Sequence, residues 1–174
     1  MRELRINRHK PCRGLIALDK NFDTIRFELF DPYEAKEQWA VDLHRTGYHA
    51  VRIYVNDKEL NALLVELEDK EDGETTPSDP AHVYGHIGLW LAEELKKESA
   101  DSYGASLCCC SVCGDEGCWG VRAKVRETDD EVVWHGFEHE HRQYTYGGLE
   151  FHFERSAYEV EIKKLEEWRR QYDR

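Results

Sequence analysis

No stretch of this sequence stays apolar long enough to cross a bilayer; the longest candidates, residues 60–65 and 87–95, are short and interrupted. The first ten residues are basic and lack an apolar centre, so they do not read as an export signal, and a cytoplasmic location is expected. Positive charge is scarce too. Against 36 Asp and Glu stand 24 Lys and Arg, a formal net charge of −12, which repels a polyanion and argues against nucleic-acid binding. The largest basic group, residues 2–13, is short and carries Glu3. Acidity of this size favours solubility, and its functional counterpart is docking onto a basic protein partner. Catalytic signatures are missing as well. There is no G-x-S-x-G elbow and no H-E-x-x-H helix, and Gly85 and Gly88 lack the lysine and hydroxyl of a phosphate-binding loop.

Aromatic residues, by contrast, are plentiful: five Trp, nine Tyr and six Phe in 174 residues supply the apolar surface of a real core. Ile25, Phe27 and Leu29 alternate with Arg26, Glu28 and Phe30, and Val51, Ile53 and Val55 alternate with Arg52 and Tyr54; both patterns predict strands. Trp39, Val41 and Leu43 repeat the same period and predict another. Asn56-Asp57 reads as a turn, and Leu60, Leu63, Leu64 and Leu67 predict a helix. Residues 69–80 form an acidic, proline-bearing loop without the ligand spacing of a calcium site. A helix is expected from Ala92 to Lys97, and His82 and His86, four apart, would share a helical face with Tyr84 between them. Trp119, Val121, Ala123 and Val125, then Val132, Val133, Trp134 and Phe137, predict a hairpin turning at Asp129-Asp130. Ser156 with Glu159 predicts a helix start of the capping-box kind. Tyr158, Ile162, Leu165, Trp168 and Tyr172 then form an apolar stripe. The expected fold class is α+β: a mainly antiparallel sheet packed against the C-terminal amphipathic helix and one or two further helices, in a single domain over 1–174 with its one seam at the loop 69–80.

The most informative local feature is Cys108-Cys109-Cys110-Ser111-Val112-Cys113-Gly114-Asp115-Glu116-Gly117-Cys118. Cys110 and Cys113 have C-x2-C spacing and Cys118 follows, which is half a zinc signature plus one further sulfur. The fourth ligand is expected from Cys108 or from the next hairpin, where His135, His139 and His141 share one parity; His141 is preferred and His139 held in reserve. A site filled by Cys110, Cys113, Cys118 and His141 would be structural. Two other readings stay open: buried, unreactive thiols, and redox or nucleophilic chemistry, which Asp115, Glu116 and the lack of Lys or Arg from 99 to 121 disfavour. Cys109, of opposite parity to its neighbours, should face away from the site. Cys12 stands alone and receives no role.

Cys113-Gly114-Asp115-Glu116-Gly117-Cys118-Trp119, then Val133-Trp134, Phe137, His141-Arg142 and Tyr146, and finally Phe151-His152-Phe153 and Tyr158 ahead of the last helix, resemble a family of uncharacterised bacterial proteins. That family carries a CG-x2-GCW element, a Trp/Phe strand, a His-Arg pair and a C-terminal Phe-x-Phe plus helix. The similarity is strong from Cys108 to Tyr158. Family members commonly place a further cysteine two residues before the Cys-Gly step, where this chain has Ser111. The resemblance implies that these residues act together, and it implies no activity. The sequence therefore leads to a non-catalytic protein-interaction module with a structural zinc site. The alternative is a metal-dependent hydrolase using the Cys/His site, with Glu138, Glu140, His135 and His141 as acid–base candidates.

Overall fold

The alternating segment at the start forms strand β1 (Ile25–Phe30), which pairs antiparallel with β2 (Ala50–Val55) from Ile25↔Val55 to Phe30↔Ala50. Asn56 and Asp57 take φ of 51° and 62° and reverse the chain into β3 (Lys58–Glu59), the left-handed pair a two-residue hairpin needs. This structure is a computed structural model that describes residues 21–44, 46–73, 78–96, 103–139, 141–142 and 144–172. The basic group at 2–13, Cys12, Glu140 and part of the 69–80 loop lie outside the described residues.

The leucine-rich stretch is helix α2 (Leu60–Asp72), which buries Leu60, Leu64 and Val65. A short helix α3 (Pro80–Val83) leads into β4 (Tyr84–Gly88), which is buried along its whole length. A 3-10 helix (Leu91–Lys96) follows, then β5 (Ala105–Ser106) and β6 (Cys108–Cys110). The predicted hairpin is β7 (Val121–Glu127) and β8 (Glu131–His139). Short strands β9 (Tyr144–Thr145) and β10 (Phe151–Glu154) precede the long helix α4 (Arg155–Tyr172). The strands make two five-stranded sheets: β1-β2-β4-β6 with β3 beside β2, and β10-β8-β7-β5 with β9 beside β8. Every pairing between these strands is antiparallel. The α+β class holds, with two sheets in place of the one expected.

One apolar cluster joins them. Phe27, Val51 and Ile53 of the first sheet meet Val125, Trp134 and Phe153 of the second, and Tyr158, Ile162 and Leu165 of α4 close over them. Burying each such side chain contributes about 1.5–3 kcal/mol. Trp134 and Tyr158 bring polar atoms into this core and satisfy them: Trp134 Nε1 donates to Tyr158 Oη at 3.0 Å, and Tyr158 Oη donates to the Leu95 carbonyl at 2.7 Å. α4 also protects the open edge of β1, where the Phe27 amide donates to Glu161 at 3.1 Å. Among the described residues, no helix is long and apolar enough to cross a membrane.

Four sequence expectations fail locally. Trp39, Val41 and Leu43 lie in or beside a short helix, α1 (Gln38–Asp42); consecutive Trp39 and Ala40 are both buried, and Leu43 donates to the Trp39 carbonyl four residues back. The helix α2 extends to Asp72, into the predicted loop. His86 sits on strand β4 and not on a helical face. Ser156 does not cap α4, which begins at Arg155: its hydroxyl donates to Glu154, and Glu159 receives Arg155.

Candidate metal centre

Strand β6 carries three consecutive cysteines against β4, with Tyr84 opposite Cys110, Gly85 opposite Cys109 and His86 opposite Cys108. Alternation sends their side chains to different environments. Cys108 enters the core cluster, and its sulfur accepts the Val121 amide at 3.2 Å. Cys109 is buried on the other side and donates to the His86 carbonyl at 3.1 Å. A Cβ on Gly85 would lie 2.9 Å from the Cys109 sulfur, so this sheet contact requires glycine. Burial pushes the Cys108 and Cys109 thiols up, which makes them unreactive packing groups.

Cys110 ends the strand and begins a tight loop. Its amide donates to the Asp115 carbonyl at 3.1 Å, and its own carbonyl accepts the Gly114 amide at 2.9 Å. Asp115 fixes the second half: its side chain accepts the Gly117 amide at 2.8 Å, and its carbonyl accepts the Cys118 amide at 3.4 Å. Gly114 has φ +70°, and a Cβ there would lie 2.7 Å from the Trp39 ring. Glycine thus permits both the turn and its seat on α1. Folded this way, the loop brings the sulfurs of Cys110, Cys113 and Cys118 to within 4.8 Å of one another. Tetrahedral zinc with bonds of about 2.3 Å would set sulfurs about 3.8 Å apart. A small contraction of the loop therefore meets the geometry, and the donor set suits a soft or borderline metal ion. Cys110 is buried; Cys113 and Cys118 are exposed.

The three thiols influence one another. Burial raises the Cys110 pKa, but the amides of Val112 and Cys113 and the two neighbouring thiols outweigh it and bring it below the ordinary value. Those same contacts with Cys113 and Cys110 push Cys118 up to about 11.

The histidines occupy distinct places. His141 lies against the same loop, its Nε2 2.6 Å from the Gly117 carbonyl, one residue from Cys118. Its ring is outside the group of mutually close sulfurs. His139 is buried edge-on to Trp119, with centroids 4.3 Å apart, and its Nδ1 accepts the amides of His141 and Arg142. It anchors the loop's exit to β8. The expected shared face of His135 and His139 is broken. Val125 faces Trp134 and Lys124 faces His135, yet Val121 faces His139, because one extra residue at Gly136 (φ +60°) bulges β8. His135 therefore sits beside Lys124 while His139 turns inward.

Two polar clusters carried no sequence signal, since their members lie far apart in the chain. Glu68 of α2 is buried, and one of its oxygens accepts both Tyr84 Oη and Tyr146 Oη at 2.5 Å. Its other oxygen accepts Arg142 at 3.0 Å, and Arg142 reaches on to Asp72 at 3.2 Å. In the second cluster, His86 lies between Glu37, 2.6 Å from Nδ1, and Glu59, 2.7 Å from Nε2, with Phe30 edge-on to the ring. Burial alone would lower the His86 pKa; the two carboxylates outweigh it and hold it above the ordinary value. The bond to His86 in turn holds Glu59 below its ordinary value against the opposing effect of burial.

The chain matches no protein-family model, no curated protein and no solved structure.

Proposed function

We propose that this protein is a non-catalytic protein-interaction module whose loop from Cys110 to Cys118 is fixed by a structural zinc ion. Cys110, Cys113 and Cys118 supply three ligands and His141 the fourth, after its ring turns from the Gly117 carbonyl toward the sulfurs. The observation that carries the reading is the convergence of three thiols within 4.8 Å on a loop already shaped by backbone hydrogen bonds. Zinc there would tie the end of β6 to the turn after β8 and hold Val112, which is 76% exposed, on a rigid base. Support for a non-catalytic role comes from the other polar clusters: the groups around Glu68 and around His86 bond one another within the fold. The charge of −12 favours a basic protein as partner.

X-ray absorption on the zinc-loaded protein tests the ligand set. Three sulfurs and one histidine nitrogen are expected, with the nitrogen lost in His141→Ala. For the partner, affinity capture across a salt series should retain a basic protein that dissociates as salt rises. Failure to retain any such protein at every salt concentration would remove the interaction reading.

A second reading, a metal-dependent hydrolase, rests on the present bond from His141 to Gly117. If His141 keeps that bond when metal is present, the fourth position passes to water, and a zinc-bound water is a nucleophile near neutral pH. An absorption spectrum with three sulfurs and one oxygen, unchanged by His141→Ala, would favour it.

A further inference from the structure

The three converging sulfurs differ in access. Cys113 and Cys118 are exposed, whereas Cys110 is buried at the end of β6, with its sulfur under the Val112 amide at 3.4 Å. Cys108 and Cys109 are buried behind it, their sulfurs bonded to the Val121 amide and the His86 carbonyl. Among the described residues, a solvent-borne oxidant thus meets two sulfurs of five, and those two are close enough for a small movement of a short loop to join them.

From this arrangement we infer that the site is a redox-controlled metal clasp, in which a peroxide joins Cys113 to Cys118 as a disulfide and ejects the bound metal. The inference rests on the zinc reading above and adds its regulation. One exposed thiolate attacks a peroxide oxygen; the O–O bond breaks, a sulfenic acid forms, and the departing hydroxide takes up a proton to become water. The second exposed thiolate attacks that sulfenic sulfur; the S–S bond forms, and a second hydroxide leaves and is protonated. Two sulfurs together lose two electrons, and the peroxide gains them as it becomes two waters. Zinc then retains only Cys110 and one histidine, too few ligands for tight binding, and leaves. A dithiol reductant reverses the step by returning two electrons to the disulfide.

The odd number of sulfurs in the site, three, matters to this outcome. Only one pair can form, and Cys110 remains as a thiol inside the fold, ready to receive the metal again. The loop's backbone bonds from Cys110 and Asp115 do not involve the two exposed sulfurs, so the turn persists while its clasp opens. The surface changed by this event is the exposed rim around Val112, where the metal fixes the loop in the proposed binding module.

The test uses the full chain, purified under reducing conditions, loaded with zinc and treated with one equivalent of hydrogen peroxide in the presence of a chromophoric chelator. Alkylation and peptide mass spectrometry then locate any disulfide. The expected result is loss of the bound zinc in step with a Cys113–Cys118 disulfide, one ion per bond formed, with zinc taken up again after dithiothreitol. Zinc retained while peroxide is consumed elsewhere, or a disulfide that includes Cys108, Cys109 or Cys110, would overturn the inference and leave the structural zinc reading standing. A reduced chain that binds no zinc would overturn both.

Discussion

Replacing His86 by alanine should destabilise the protein by about 2–4 kcal/mol, and the loss should depend on pH. The imidazole makes two short bonds, to Glu37 at 2.6 Å and Glu59 at 2.7 Å. Charge-assisted bonds of this kind contribute about 1.5–3 kcal/mol each; the total is reduced because Glu59 keeps 32% of its side-chain surface in solvent. The variant also leaves two carboxylates near one another without the cation that separates them. The groups facing the ring are Glu37 before α1, Glu59 on β3 and Phe30 on β1, and Arg52 acts on Glu59 from β2. The folded-state pKa of His86 lies above its ordinary 6.5, so the histidine's contribution is fully present below that value and fades as pH rises through the folded pKa. Glu59 lies below its ordinary 4.5, so its contribution is present above that value and fades as pH falls through its own folded pKa. The difference between wild type and His86→Ala should therefore be greatest between about pH 4.5 and 6.5 and should shrink as pH rises through the folded pKa of His86. Urea unfolding of both proteins across that range measures it, and the subtraction cancels groups common to the two. A difference under about 0.5 kcal/mol, or one that stays constant or grows toward high pH, would refute the carboxylate–imidazolium–carboxylate clamp.

Three further substitutions give predictions. Glu68→Ala removes the acceptor shared by Tyr84, Tyr146 and Arg142 and should cost about 3–5 kcal/mol in urea unfolding, with Glu68→Gln recovering part of the loss. Gly85→Ala places a methyl 2.9 Å from the Cys109 sulfur and 3.0 Å from the Cys110 carbonyl, and should lower stability by about 1–3 kcal/mol in thermal unfolding. Gly114→Ala strains a residue at φ +70° and pushes on Trp39, so zinc affinity should fall together with stability, the first read by competition with a chelator.

The strands β1, β2 and β7 and the helix α4 were legible because one face of each is apolar at the right period, and β8 because its apolar run Val132-Val133-Trp134 follows a turn signal at Asp129-Asp130. The same rule misplaced Trp39, Val41 and Leu43, since five residues are too few to separate a period of two from a single helical turn that buries adjacent Trp39 and Ala40. Parity likewise put His135 and His139 on one face, and a single bulge at Gly136 reversed it. The sulfur trio was legible because its members lie within nine residues and loop glycines can fold them inward. Glu68 meets Tyr146 across 78 positions, and His86 meets Glu37 across 49; those neighbours exist only after the sheets form, and local spacing carries no trace of them.

The metal content of the purified chain tests the central claim most directly. Prepared under reducing conditions and analysed by mass spectrometry for metals, the protein should carry one zinc per chain, lost together in the paired Cys113→Ser and Cys118→Ser variant, with sulfur neighbours at about 2.3 Å by X-ray absorption. A correctly folded, fully reduced protein that carries no metal and takes up none when zinc is supplied would contradict the account.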